Sequence, residues 1–434
     1  MKRQLEIAGA RLSHGRSALG ICAIATLLSG CGGSQPPIVA SGAMRQSPSV
    51  TAPESAALSH LTPHHATSSY AVLYRFRGAH FADGAAPYAS LINVNGTLYG
   101  TTFYGGDKIV KEGLGTVFSV TPSGTEKVLY SFGHGSFDPY WPMASLVNVK
   151  GTLYDTTSAG GVYGNGTVFS VTTTGTEKVL HSFAGGADGA GAEASLVNVK
   201  GTLYGTTSAG GANGVGTVFS VTTTGTEQVL HSFAGGSDGG RPHAALINVS
   251  GTLYGTTNSG GGSGCGGYGC GTVFSVTTTG AEKVLYSFAG GSDGDGPQAG
   301  LINVSGTLYG TTVYGGANGD GTVFSISTTG TEKVLYSFAG GSDGANPYAA
   351  LINVSGTLYG TTVYGGANGD GTVYSISTTG TEKVLYSFAG GSDGDNPQAG
   401  LISVSGTLYG TTLGGGRRPW CSRYRCGTVF ALTP

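Results

Sequence analysis

Seven positions are chemically mixed in a chain where nearly everything around them repeats: Tyr88, Met143, Glu193, His243, Gln298, Tyr348 and Gln398. Each stands at, or aligns with, the residue after a loop proline that opens a short apolar run. Glu193 and His243, in consecutive copies, are the one carboxylate and imidazole pair suited to general acid–base work. The tyrosines and amides beside them suit stacking and hydrogen bonding to a bound molecule. A mouth that touches a ligand would show this mixture, and so would seven solvent positions under no constraint.

A second group lies in the fifth and sixth copies. Tyr314 and Tyr364 end apolar runs, Tyr348 opens another, and Asn318, Asp320, Asn368 and Asp370 follow in the loops. Aromatic faces beside hydrogen-bonding groups match the C–H patches and hydroxyls of a sugar. Such a set also results from simple copying of one repeat.

The remaining chemistry reads as structural. An aspartate recurs in every copy, at Asp83, Asp138, Asp188, Asp238, Asp293, Asp343 and Asp393, where an Asx-type turn explains it. Asp295, Asp320, Asp370 and Asp395 break the period and suggest calcium, which takes several oxygen ligands from such loops. The short continuing period of calcium-binding nonapeptides is missing, so no cofactor is expected. Cys265 and Cys270 bracket "GGYG", and Cys421 and Cys426 bracket "SRYR". In an exported chain each pair is expected to close a local disulfide; a four-cysteine zinc site would need pairs from non-adjacent copies to converge. His181 and His231 replace a tyrosine of "VLYSF" and read as surface substitutions. Asp155 replaces a strand glycine once, for which the sequence offers no reason.

These residues need a scaffold, and the repeat supplies it. "GTLYGTT", once written "GTLYDTT", opens at Gly96, Gly151, Gly201, Gly251, Gly306, Gly356 and Gly406, with spacings of 55, 50, 50, 55, 50 and 50. A period near fifty marks stacked supersecondary units in the range of kelch-type blades. Each period holds four short apolar runs rich in β-branched and aromatic residues and bounded by turn residues, which predicts four strands and no helix. The runs are apolar on both faces, as a sheet wedged between two others requires. A β-solenoid is the rival architecture, but it should end in polar caps. The first repeated element is a lone fourth-type strand, "AVLYRF" from Ala71, and the last is a third-type strand, "GTVFAL" from Gly427. That offset closes a ring, so the expected fold is all-β: a seven-bladed β-propeller of four-stranded antiparallel blades over 70–434, with the N-terminal strand completing the last blade. Loops between second and third strands, and between blades, vary from copy to copy, which marks their face as the binding face.

The consensus "PxAxLIxVxGTLYGTTxxGGxxGxGTVFSVTxxGTEKVLYSF" resembles the GloVer, or Gloeo/Verruco, tandem repeat of bacterial exported proteins across Ala71 to Pro434. The strand order resembles NHL and kelch propellers more distantly. The resemblance implies a repetitive exported body and transfers no catalytic residue.

The N-terminus supplies an address. Lys2, Arg3, Arg11 and Arg16 precede the apolar run "ALGICAIATLLSG", and Leu28-Ser29-Gly30-Cys31 resembles the lipobox of bacterial lipoproteins, which implies cleavage after residue 30 and lipidation of Cys31. A plain signal peptide with a chance cysteine is the alternative. Residues 31–69 read as a Ser, Pro and Ala-rich disordered tether. The expected location is the cell envelope, at the outer membrane or cell surface. With 21 Lys and Arg against 23 Asp and Glu, and a net charge of −2, no basic stripe is available for a phosphate backbone, so nucleic acid is excluded as a partner. The expected partners are the membrane, through the lipid, and a polysaccharide or protein; the body is expected to be monomeric. No nucleophile motif or phosphate loop is present. A non-catalytic binding or scaffold module is therefore the first functional reading, with a polysaccharide-active enzyme and a purely structural surface protein as alternatives.

Overall fold

In each period the two-residue turn in front of "GTLY" starts a hairpin. Asn95 and Gly96 both have positive φ, 52° and 85°, as a type I′ turn demands, and the Gly96 amide donates to Asn93 Oδ1 at 2.9 Å. The turn pairs Ile92–Val94 with Thr97–Thr102, and Thr116–Val120 and Glu126–Ser131 follow in antiparallel register. The computed structural model describes residues 68–106, 113–135, 137–416 and 426–434. Within them this unit occurs as seven four-stranded sheets. The export signal, Cys31, Cys421 and the tether as far as residue 67 lie outside the described residues; the tether reading runs too far at its end, for Ser68 Oγ donates to the Leu385 carbonyl and Ser69 opens the strand Ser69–Arg75.

The seven sheets form a closed ring. Their innermost strands adjoin in sequence order, and Ile92–Val94 of the first blade also lies against Ile402–Val404 of the seventh. The seventh blade is completed from the other end of the chain: Ser69–Arg75 pairs antiparallel with Thr428–Thr433, Ser69 opposite Thr433 and Arg75 opposite Thr428. This is the seven-bladed propeller and the offset closure that the repeat order predicted.

The recurring phrase builds the packing between blades. Leu98 is fully buried and Tyr99 nearly so. Gly100 lies flat against the Phe118 ring of the neighbouring strand; a Cβ there would come within 2.8 Å of it. The two threonines divide their work. Thr102 Oγ1 meets Thr116 Oγ1 at 2.8 Å inside the blade, whereas Thr101 Oγ1 donates to the Ala144 carbonyl of the next blade at 3.3 Å. The phenylalanine ending each fourth strand stacks edge-on against the third-strand aromatic of the next blade, from Phe76–Phe118 at 5.1 Å to Phe388–Phe430 at 5.3 Å. Such pairs add to the area they bury.

Two positions break this scheme. Asp155 stands where six blades have glycine, and it is fully buried. Apart from the adjacent Thr156 amide its carboxyl has no partner, and burial holds its pKa well above the carboxylate range. Tyr374 replaces the third-strand phenylalanine, and its buried hydroxyl is unpartnered.

Candidate functional site

The blade-connecting loops hand the chain to the innermost strands through one repeated conformation. The residue before the loop proline has positive φ: Ala86, Trp141, Arg241, Gly296, Asn346 and Asn396. Proline follows, then the mixed position, then a buried alanine such as Ala89 or Ala244. Seven such starts around one axis make the channel mouth. Tyr88, Met143, Glu193, His243, Gln298, Tyr348 and Gln398 together line one cavity of about 160 Å³ there.

Two of them meet directly. His243 Nδ1 lies 2.8 Å from Glu193 Oε2, with both side chains roughly 30% exposed (31% and 27%). The sequence placed the pair in consecutive copies; the ring brings them into a hydrogen bond across two blades. The contact orients the imidazole and leaves Nε2 for another group.

Aromatic groups flank the mouth on two sides. On one, Phe103 stacks on Trp141 at 5.4 Å and meets Tyr88 edge-on, also at 5.4 Å. On the other, the hydroxyls of Tyr314 and Tyr348 are 3.3 Å apart, and Tyr314 and Tyr364 are about half exposed. Burial first, and Tyr314 second, raise the pKa of the Tyr348 phenol. The loop amides do not join this rim. Asn318 Nδ2 donates to the Phe338 carbonyl at 3.1 Å and Asn368 Nδ2 to that of Phe388 at 3.0 Å, so both are committed to the outer ends of their blades.

A larger cleft of about 550 Å³ adjoins the mouth and shares Gln298 with it. Arg241, Asn258, Tyr268, Asp295 and Tyr314 line it. Of these the sequence pointed to Tyr314 as a sugar contact and to Asp295 only as a calcium candidate, and to neither Arg241, Asn258 nor Tyr268. Cys265 and Cys270 form a disulfide at the base of the loop that carries Tyr268, which is 82% exposed. Arg241 holds left-handed backbone with φ 55°, an uncommon state for a bulky residue. Asp295 has its pKa raised by burial, with the Gly296 amide opposing. The signal for the cleft was present: the 55-residue spacing after the fourth phrase is the insertion that builds its wall.

The recurring aspartates act as turn acceptors, as expected. Asp393 Oδ2 accepts from the Ala389 amide at 2.8 Å, and Asp343 Oδ2 accepts from Ala339 at 2.9 Å. Each also receives a side chain. Tyr74, Tyr130, Tyr286, Tyr336 and Tyr386 donate their hydroxyls to Asp83, Asp138, Asp293, Asp343 and Asp393. His181 and His231 are therefore not surface substitutions: each is only 20% exposed and faces Asp188 or Asp238 at 3.3 and 3.5 Å. Among the described residues, Asp295, Asp320, Asp370 and Asp395 do not gather in threes with other carboxylates. Cys426 is buried, and its expected partner Cys421 lies outside the described residues.

Fold and site together define a seven-bladed β-propeller whose variable face carries a channel mouth and an adjoining cleft. The chain belongs to the Gloeobacter/Verrucomicrobia repeat family, whose profile matches residues 51–268 and 264–434. No protein of curated function matches it in sequence. Among solved structures it is similar to a putative 6-phosphogluconolactonase from Bacteroides uniformis, at 13% identity over 74% of this chain and 88% of that one, with a TM-score of 0.49. A gluconolactonase from Xanthomonas campestris shares 15% identity over 65% and 82% of the two chains, with a TM-score of 0.37. A luciferin-regenerating enzyme shares 12% identity over 85% and 95%, with a TM-score of 0.39.

Proposed function

We propose that this protein is an exported, lipid-anchored binding module whose variable face takes a polysaccharide. The observation that carries the reading is the channel mouth lined by all seven mixed residues, which shares Gln298 with the cleft lined by Tyr268 and Tyr314. Aromatic faces beside amides, an exposed guanidinium and a carboxyl offer both the stacking and the hydrogen bonds that a sugar chain uses. Anchoring rests on the lipobox-like Leu28-Ser29-Gly30-Cys31. In this reading Cys31 carries the lipid, and Cys31→Ser releases the protein from the membrane fraction.

The test of binding is a titration of soluble polysaccharides against the wild type and a Tyr314→Ala, Tyr364→Ala double variant. Weaker binding by the variant is expected. Equal affinity, or no binding to any polysaccharide, removes the proposal.

One observation favours a second reading. The Glu193–His243 contact at 2.8 Å would serve an acid–base enzyme acting on the same class of substrate. Turnover of a glycan, abolished in Glu193→Gln while binding is retained, would replace the binding module with that enzyme.

A further inference from the structure

At every seam between blades the fourth-strand tyrosine or histidine meets the aspartate of the following loop. At six seams the glutamate that begins the next blade's fourth strand comes close as well; at the seventh, Tyr70 holds that register position. At the tyrosine seams the phenol donates its one proton to the aspartate and has none left for the glutamate. At two seams an imidazole replaces the phenol. Imidazole with two carboxylates is a ligand set for a divalent cation, which a phenol with two carboxylates is not.

Among the described residues two groups bring three potential ligand atoms within 4.8 Å of one another: Cys265, Cys270 and Asp295, and His181, Asp188 and Glu227. The sulfurs of the first are joined to each other, which leaves a lone carboxylate. The second has all three groups free of covalent use. His181 Nε2 is 3.3 Å from Asp188 Oδ2, about the edge of a tetrahedron with metal–ligand bonds of roughly 2.0–2.1 Å. Glu227 Oε1 is buried without a hydrogen-bond partner, as is the matching glutamate oxygen at the other glutamate seams; among the described residues only the His181 seam brings an imidazole, an aspartate and that glutamate within 4.8 Å of one another.

We infer that His181, Asp188 and Glu227 form a binding site for a zinc-class divalent cation at the seam between the second and third blades. Three protein ligands leave a fourth position for water. The cation would stand where the tyrosine hydroxyl stands at other seams and neutralise two carboxyl groups that otherwise crowd each other. The His231 seam holds the same residue types in a looser set, with His231 Nε2 at 3.5 Å from Asp238 Oδ2, and it serves as an internal control.

The site is independent of any ligand at the channel mouth, and its test needs no activity. Zinc is titrated by calorimetry into the chelator-treated full chain, and into His181→Tyr, His231→Tyr and Glu227→Gln variants. His181→Tyr restores the residue found at five other seams, so it keeps the fold. Histidines of the N-terminal segment, His60, His64 and His65, are common to all variants and cancel in the comparison. The expected result is one equivalent of zinc lost in His181→Tyr and in Glu227→Gln and retained in His231→Tyr. A zinc-dependent rise in melting temperature should be lost in the same two variants. Cobalt should give a visible ligand-field band in the wild type that His181→Tyr lacks. Zinc uptake by His181→Tyr equal to that of the wild type overturns the inference, as does a wild type that takes up no zinc.

Discussion

The Thr411 hydroxyl donates to the Ala89 carbonyl at 3.4 Å, joining the last blade to the start of the first across 322 residues of chain. The same threonine in every other blade reaches the next blade in order, so Thr411 performs at the closure what Thr101 and Thr311 perform elsewhere. Ring closure is therefore made twice. Thr411 joins the inner strands, and at the rim Ser69–Arg75 completes the seventh sheet.

Deleting Ala71 to Arg77 should unseat the seventh blade. The deletion exposes the ladder edge of Thr428–Thr433 and removes Phe76, which is fully buried against the Phe118 ring of the first blade. The expected outcome is a lower melting temperature with early proteolysis near the C-terminus. A truncated protein that melts like the intact one would contradict the closure.

Asp155→Gly should stabilise the protein by about 1–3 kcal/mol, because it removes a buried carboxyl that lacks a full set of partners. The glycine it restores is the residue of the other six blades. Tyr374→Phe should act in the same direction by about 1 kcal/mol, since its hydroxyl is buried and unpaired. Denaturant midpoints of the two variants check both, and destabilisation by Asp155→Gly would show that the carboxyl has a use.

Stability should fall as pH rises from about 5 to about 8. Burial first, and the neighbouring aspartate second, push Glu126, Glu177, Glu282, Glu332 and Glu382 up to about 7 and Glu227 to about 8. In the unfolded chain these groups ionise near 4.5. Between that value and their folded values the unfolded state releases protons that the folded state keeps, so rising pH favours unfolding. The contribution is complete below about 4.5 and gone above about 8. Melting curves in constant ionic strength test this, and Glu→Gln changes at several seams should flatten the slope. A melting temperature that rises from pH 5 to pH 8 would be the opposite sign.

Opening the Cys265–Cys270 loop should weaken polysaccharide binding more than it harms the fold. A short closed loop contributes about 2 kcal/mol through chain entropy, and the loop forms the wall of the cleft with Tyr268 at its tip. The Cys265→Ser, Cys270→Ser variant should remain a folded propeller by circular dichroism and lose affinity in the same titration as Tyr268→Ala. Unchanged affinity in both would detach the loop from the binding face.

Much of this protein could be read before any coordinates. Hairpin turns, strand alternation and blade count are local properties, repeated seven times, and each copy carries the same two-residue turn and the same apolar faces. The seven mixed positions were visible as well, because a repeat makes its own departures conspicuous: Tyr88, Glu193, His243 and their counterparts stand out against constant neighbours. What the sequence could not determine was which residues of different blades meet. The Glu193–His243 contact, the cleft joining Arg241, Tyr268 and Asp295, and the meeting of His181 and Asp188 with Glu227 all cross a seam. Contacts across a seam depend on the angle and height at which neighbouring sheets pack. That geometry is set by the whole closed ring, through Phe against Phe and Thr against carbonyl, and no single period contains it.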